Sequence, residues 1–153
     1  LNKQTVADCI EAAAGRLEAA GVVFGHGTSS AWDEATALVL AVAELPDDRR
    51  SLTAAVSSAQ LERIEHLLQR RCDERIPLPY LLGVAYFAGY RFDITAGVVI
   101  PRSPIAELIG RRFEPWLREP PQRIIDLCCG SGCIGIAAAL TFPRSTLVLA
   151  DID

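Results

Sequence analysis

The stretch Ile124-Ile125-Asp126-Leu127-Cys128-Cys129-Gly130-Ser131-Gly132-Cys133-Ile134-Gly135 runs from an apolar strand through a loop of small residues into a helix. The strand is predicted over Arg123 to Leu127 and the loop over Cys128 to Gly132. The helix follows from Cys133 to Phe142, where Pro143 ends it, and a second strand runs from Thr146 to Ala150. One strand–loop–helix–strand unit results, and such units are parallel and right-handed. Small residues let the backbone turn sharply and let a ligand come close to it. The start of the helix offers N–H groups with no partner inside the helix. Asp151 leaves the end of the second strand, where a carboxylate can accept hydrogen bonds from ribose hydroxyls.

Two ligand classes fit such a loop. Gly130, Gly132 and Gly135 match the G-x-G-x-x-G pattern of dinucleotide sites, with Asp151 following as the acidic residue. Asp126 argues against a dinucleotide, because a carboxylate at the end of the first strand faces the place a pyrophosphate must occupy. S-adenosylmethionine carries a sulfonium and an ammonium instead of phosphate, and a nearby carboxylate suits both. A dinucleotide domain also usually begins at its first strand, whereas here a long segment precedes it. The methyl donor is the preferred reading. A nicotinamide cofactor, and a strand–helix turn that holds nothing, stay as alternatives.

Upstream, three helices are expected. Thr5 and Asp8 have the spacing of a capping box, and Val6, Ile10, Ala13, Leu17 and Ala20 follow at helical period up to Gly21. Ser30 with Asp33 opens a second helix through about Ala43. Ser57 or Ser58 caps a third, with Leu61, Ile64, Leu68 and Cys72 on one face. Short helices of this kind hold only by packing on one another. From Ile76 the texture changes: Pro77 and Pro79 stop the helix, and Tyr80 to Ile100 reads as strands with a hairpin. Ser103 as N-cap and Pro104 at the first helical position then open a helix to about Arg118. Ile105, Leu108, Ile109, Phe113 and Leu117 would face inward, and Pro115 could kink that helix or end it early.

Of the 153 residues half are hydrophobic and the formal net charge is −4, which excludes disorder and gives no basic face for nucleic acid. No apolar run approaches the roughly 18 residues that span a bilayer, and no signal peptide is recognisable. Five cysteines, three of them crowded at Cys128, Cys129 and Cys133, make no disulfide framework and suit a reducing cytosol. Their spacing is not that of a zinc site, so small packing residues are expected and no metal. His26, between two glycines, reads as structural or a partner contact. Trp32 and Trp116 read as core. Arg70-Arg71 and Arg111-Arg112 read as solvated helix faces. The sequence has no methionine and stops as a strand leaves its sheet, so a piece of a longer protein is expected.

Asp126 to Ile134 resembles the donor-binding motif of class I methyltransferases. With Ile100-Pro101-Arg102-Ser103-Pro104-Ile105-Ala106-Glu107-Leu108 just upstream, the chain resembles the HemK-type protein-glutamine methyltransferases over its whole length. Pro101-Arg102-Ser103-Pro104-Ile105, Phe24-Gly25-His26-Gly27-Thr28 with Trp32-Asp33-Glu34-Ala35, and Asp126-Leu127-Cys128 with Gly130-Ser131-Gly132-Cys133 are similar to the branch that modifies a large-subunit ribosomal protein. The release-factor branch typically reads proline-arginine-proline-glutamate at the first of these.

The resemblance implies an α/β chain: a helical substrate-recognition domain over 1–76, a β-hairpin linker over 77–101, and the first part of a Rossmann-like domain over 102–153 that binds S-adenosylmethionine. It assigns the donor to Asp126, Cys128, Gly130, Ser131, Gly132 and Asp151, and places Arg102 and Glu107 at the cleft border, where a structural ion pair and a helix-dipole role are the plain alternatives. Cys128 stands where the family usually has a glycine, and a positive φ there would strain it. The catalytic Asn-Pro-Pro-Tyr motif is expected beyond Asp153, so no catalytic residue is expected within this chain. The implied partner is a cytoplasmic ribosomal protein, or alternatively a release factor, with no membrane or nucleic acid. A nucleic-acid amino methyltransferase, a non-catalytic binding module and an NAD-dependent oxidoreductase are the other classes weighed.

Overall fold

A computed structural model describes residues 4–152. The chain divides into two compact units, one ending at Leu82 and the next beginning at Gly83.

The first unit is helical. Helix α1 (Val6–Ala19) is opened by Thr5, whose hydroxyl accepts from the Asp8 amide while the Asp8 carboxylate accepts from the Thr5 amide. Helix α2 (Ala31–Ala43) starts at Ser30, and α3 (Ser58–Asp73) at Ser57, which forms a second capping box with Gln60. Each cap satisfies amide groups that a helix leaves open at its start. The apolar stripes of the three helices then meet: Val6, Ile10, Leu17, Leu38 and Val39 are wholly buried, and Ile64, Leu67 and Leu68 close the core. Pro77 and Pro79 do end α3 as expected, but the chain does not go straight into strands. Residues Leu78–Leu82 form one further helical segment, α4, with the Pro77 carbonyl accepting from the Tyr80 and Leu81 amides. A proline in the first turn loses no helical hydrogen bond, so Pro79 starts this segment rather than breaking it.

The second unit begins with an antiparallel hairpin, β1 (Val84–Phe87) and β2 (Tyr90–Asp93). Ala85, Phe87 and Phe92 turn inward. Helix α5 (Ile105–Gly110) follows. Pro104 occupies its N-cap, while the Ser103 hydroxyl still accepts from the Ile105 amide at 3.2 Å. The helix stops at Gly110, well short of the predicted Arg118. Arg112 and Phe113 take positive φ of 53° and 59°, and Pro115 disfavours helix in the residue before it. Ile109 is buried as predicted, but Leu117 is exposed.

Strands β3 (Arg123–Leu127) and β4 (Thr146–Ala150) pair in parallel, Asp126 opposite Leu149 and Leu127 opposite Ala150, with helix α6 (Cys133–Thr141) between them in sequence. Cys133, Ala137 and Ala138 pack with Phe87, Phe92 and Ile109, and the buried Phe142 ring stands beside Phe113. Ile125, Leu127 and Val148 are exposed. Together the two units make an α/β chain. Among the described residues no helix is long and apolar enough to cross a membrane.

Three side-chain expectations fail. Trp32 and Trp116 are exposed, at 53% and 77%, rather than core. Trp32 stands in the first turn of α2, and Trp116 lies in the turns that replace the end of the predicted fifth helix. Arg71 is not a solvated residue: it is 4% exposed and pairs with Glu34. Arg112 is exposed but tied down, donating to the Thr141 carbonyl at 3.0 Å with its guanidinium 4.8 Å from the centre of the Phe142 ring.

Candidate functional site

The loop between β3 and α6 is a set of tight backbone turns. Cys128 has φ 57°, Gly130 53° and Gly132 72°. The left-handed conformation feared for Cys128 is therefore real, and it costs a side-chain-bearing residue on the order of 1 kcal/mol. The Cys129 amide donates to the Ala150 carbonyl at 3.2 Å, which carries the strand pairing one step past Leu127. The Gly132 amide donates to the Cys129 carbonyl at 2.8 Å and closes a turn over Gly130 and Ser131.

Two carboxylates bracket that turn. Asp151, just past β4, accepts from the Gly130 amide at 2.6 Å. Asp126, in β3, accepts from the Gly135 amide at 2.8 Å. Gly135 lies in the first turn of α6, where the helix has no partner of its own for that amide. A Cβ on Gly135 would sit 2.6 Å from Leu149 Cδ2 and 2.9 Å from Asp126 Cβ. Helix and strands approach this closely only because the third glycine of the pattern has no side chain. Sequence reasoning gave Gly135 no role of its own, although the glycine spacing carried the signal.

The cysteines part company. Cys133 is buried in the α6 core, Cys129 is half-buried and Cys128 is exposed, so packing explains the first but not the last. Burial, followed by the charges of Asp151 and Asp126, pushes the Cys129 thiol above its ordinary value. Asp126 and Asp151 thus place two carboxylates beside the loop. Gly130, Ser131, Gly132, Cys128, Asp126 and Asp151 are brought to this one place. Arg102 and Glu107 are exposed, and among the described residues no hydrogen bond or ion pair joins their side chains to the loop.

A second constellation escaped the sequence reading. Arg71 of α3 pairs with Glu34 of α2 and donates to the Val23 carbonyl at 3.0 Å, while Thr28 donates to Glu34 at 3.0 Å. The segment containing Phe24-Gly25-His26-Gly27-Thr28 is thereby pinned at both ends; His26 itself is half-buried. Arg71 stands three residues beyond Leu68 on the buried stripe of α3, and that register was the available signal.

A helical unit followed by a hairpin and a parallel strand–glycine loop–helix–strand unit defines the class as α/β. No family model matches the chain. Curated relatives do. The chain is 45% identical over 154 residues to the "Ribosomal protein uL3 glutamine methyltransferase" of Bordetella pertussis, covering 98% of this chain and 52% of that protein. The proteins of the same name from Francisella tularensis and Xanthomonas campestris are 43% and 50% identical, over 99% and 87% of this chain and 50% and 44% of their own lengths. The chain spans about half the length of the curated relatives it matches.

Proposed function

We propose that this chain is part of a protein-glutamine methyltransferase that takes its methyl group from S-adenosylmethionine and places it on a side-chain amide of a large-subunit ribosomal protein. The observation that carries the donor reading is the pair of carboxylates, Asp126 and Asp151, on either side of the glycine turn. A pyrophosphate would meet two negative charges there. S-adenosylmethionine carries no phosphate for those charges to repel. The residues therefore fit the donor. The acceptor reading rests on the relatives, whose names specify glutamine in uL3.

In this reading Gly130 and Gly132 give the donor access to the backbone, and Ser131 and Cys128 complete the turn. Asp151 accepts hydrogen bonds from the ribose; its carboxylate is already oriented by the Gly130 amide. The bound donor supplies an electrophilic methyl group on a positively charged sulfur. The amide nitrogen is a poor nucleophile, because its lone pair is delocalised into the carbonyl. Positioning and electrostatics must then supply most of the acceleration. Transfer of that methyl would replace one N–H of the amide by N–CH3 and release one proton. The groups that hold the amide are expected beyond Asp153, in an Asn-Pro-Pro-Tyr motif. Arg102 and Glu107 border the cleft, the helical domain recognises the ribosomal protein, and the enzyme works in the cytoplasm where that protein is made.

Methyl transfer by the full-length protein to uL3 and to a release factor, assayed side by side, tests this. Transfer to glutamine of uL3 is expected. Transfer to the release factor alone would move the protein to the other branch. Binding of NAD in place of S-adenosylhomocysteine would overturn the donor reading.

A further inference from the structure

The first turn of α6 is capped from another element. Its own N-cap, Gly132, has no side chain with which to accept a hydrogen bond. Asp126 does that work from β3, accepting from the Gly135 amide at 2.8 Å. Gly135 is the third residue of α6, one of the two positions an N-cap side chain ordinarily serves. The contact is enforced by packing: a Cβ on Gly135 would stand 2.9 Å from Asp126 Cβ and 3.0 Å from Asp126 Oδ2. At the other side of the turn, Asp151 holds the Gly130 amide at 2.6 Å. The two carboxylates therefore hold the turn itself, at Gly130, and the helix start that follows it, at Gly135.

We infer that Asp126 is a positioning residue: its carboxylate clamps the first turn of α6 to β3 and so shapes the Cys128–Gly132 turn for the donor, rather than pairing with the donor's positive charge. The inference deepens the donor reading and rests on it. It separates two roles that one acidic residue could play. A clamp needs an oxygen acceptor of the right reach, which asparagine also has. A counter-ion needs the negative charge, which asparagine lacks.

The test is a set of titrations of the full-length protein and its Asp126→Asn and Asp126→Ala variants. The ligands are S-adenosylmethionine, which is a cation at sulfur, and S-adenosylhomocysteine, which is not. Hydrogen exchange at the Gly135 amide is followed in parallel. Asp126→Ala should speed that exchange and weaken both ligands by the same factor, about fivefold for a lost cap. Asp126→Asn should restore slow exchange and both affinities, leaving their ratio unchanged. A fall in S-adenosylmethionine affinity alone in Asp126→Asn would overturn the inference in favour of a counter-ion to the sulfonium, and an equal fall for both ligands with slow Gly135 exchange retained would overturn it in favour of a counter-ion to the ammonium they share. Unchanged Gly135 exchange in Asp126→Ala would overturn it as well. Wild-type protein that binds neither ligand would overturn the donor reading, and with it the donor half of the inference, while the exchange measurement would still decide whether Asp126 holds α6.

Discussion

Arg71 of α3 and Glu34 of α2 form an ion pair whose side chains are only 5% and 3% exposed. Removing water from two charges is expensive, and such a pair holds only when further hydrogen bonds complete it. Here the Val23 carbonyl and the Thr28 hydroxyl do so. Truncating one partner strands the other as a buried charge. Arg71→Ala or Glu34→Ala should each cost about 3–5 kcal/mol. Urea denaturation would read the loss, and the double variant should recover part of it.

Three carboxylates at the starts of helical segments make the first unit sensitive to acid. Asp8 is held below its ordinary value of 3.8 by hydrogen bonds from the Thr5 amide and hydroxyl, and Asp33 by those from Ser29 and Ser30. Asp48 is lowered chiefly by the Ser51 amide. A carboxyl group that gives up its proton more readily when folded stabilises the fold above its unfolded value and loses that effect as the pH falls through the folded one. The helical signal should therefore be level above about pH 5, well clear of the ordinary carboxylate range, and melt at falling temperature below 3.8. The Asp8→Asn, Asp33→Asn, Asp48→Asn triple variant should show a flatter acid limb in thermal melts. An identical limb would show that these caps do not set it.

How much of this was legible in the sequence depends on the range of each interaction. The cap at Thr5–Asp8 joins residues three apart, so its spacing alone places the start of α1, whereas Ser57 and Ser58 stood as alternatives for α3 and the Ser57–Gln60 box decides between them. The parallel unit was legible because its strands, loop and helix are uniform in texture, and Arg123–Leu127 and Thr146–Ala150 form where predicted. What joins distant residues was not legible. Arg71 and Glu34 lie 37 positions apart, and nothing local shows that the two charges face each other. The partner of Asp126 could not be read either, because the Gly135 amide becomes its donor only once α6 packs against β3. Trp116 failed for the opposite reason: a hydrophobic side chain was assigned to a core that its turn never reaches.

The outer face of the parallel sheet should be sticky. Leu127 is 70% exposed and lies beside Ile125 and Val148, which are exposed as well. Parallel sheets are normally covered on both faces. The isolated 153-residue chain should bind a hydrophobe-sensing dye, and Leu127→Lys with Val148→Lys should lower that fluorescence while leaving the caps of α1 and α3 intact. A cooperative melt with no dye binding would refute this.

Cys128 offers the clearest backbone test. At φ 57° it sits in the left-handed region, which a Cβ makes costly, and its thiol is exposed, so removing the side chain costs little packing. Cys128→Gly should stabilise the protein by up to about 1 kcal/mol, offset in part by the extra freedom glycine gains when unfolded. Cys128→Val adds a branched Cβ at the same φ and should destabilise by more than glycine gains. The order Gly above Cys above Val in denaturant midpoint is the expected result. If valine matches cysteine, the turn relaxes away from positive φ. The close backbone approach assigned to Gly130 and Gly132 would then have to survive a different loop shape, which titration of the same variants with S-adenosylhomocysteine would reveal.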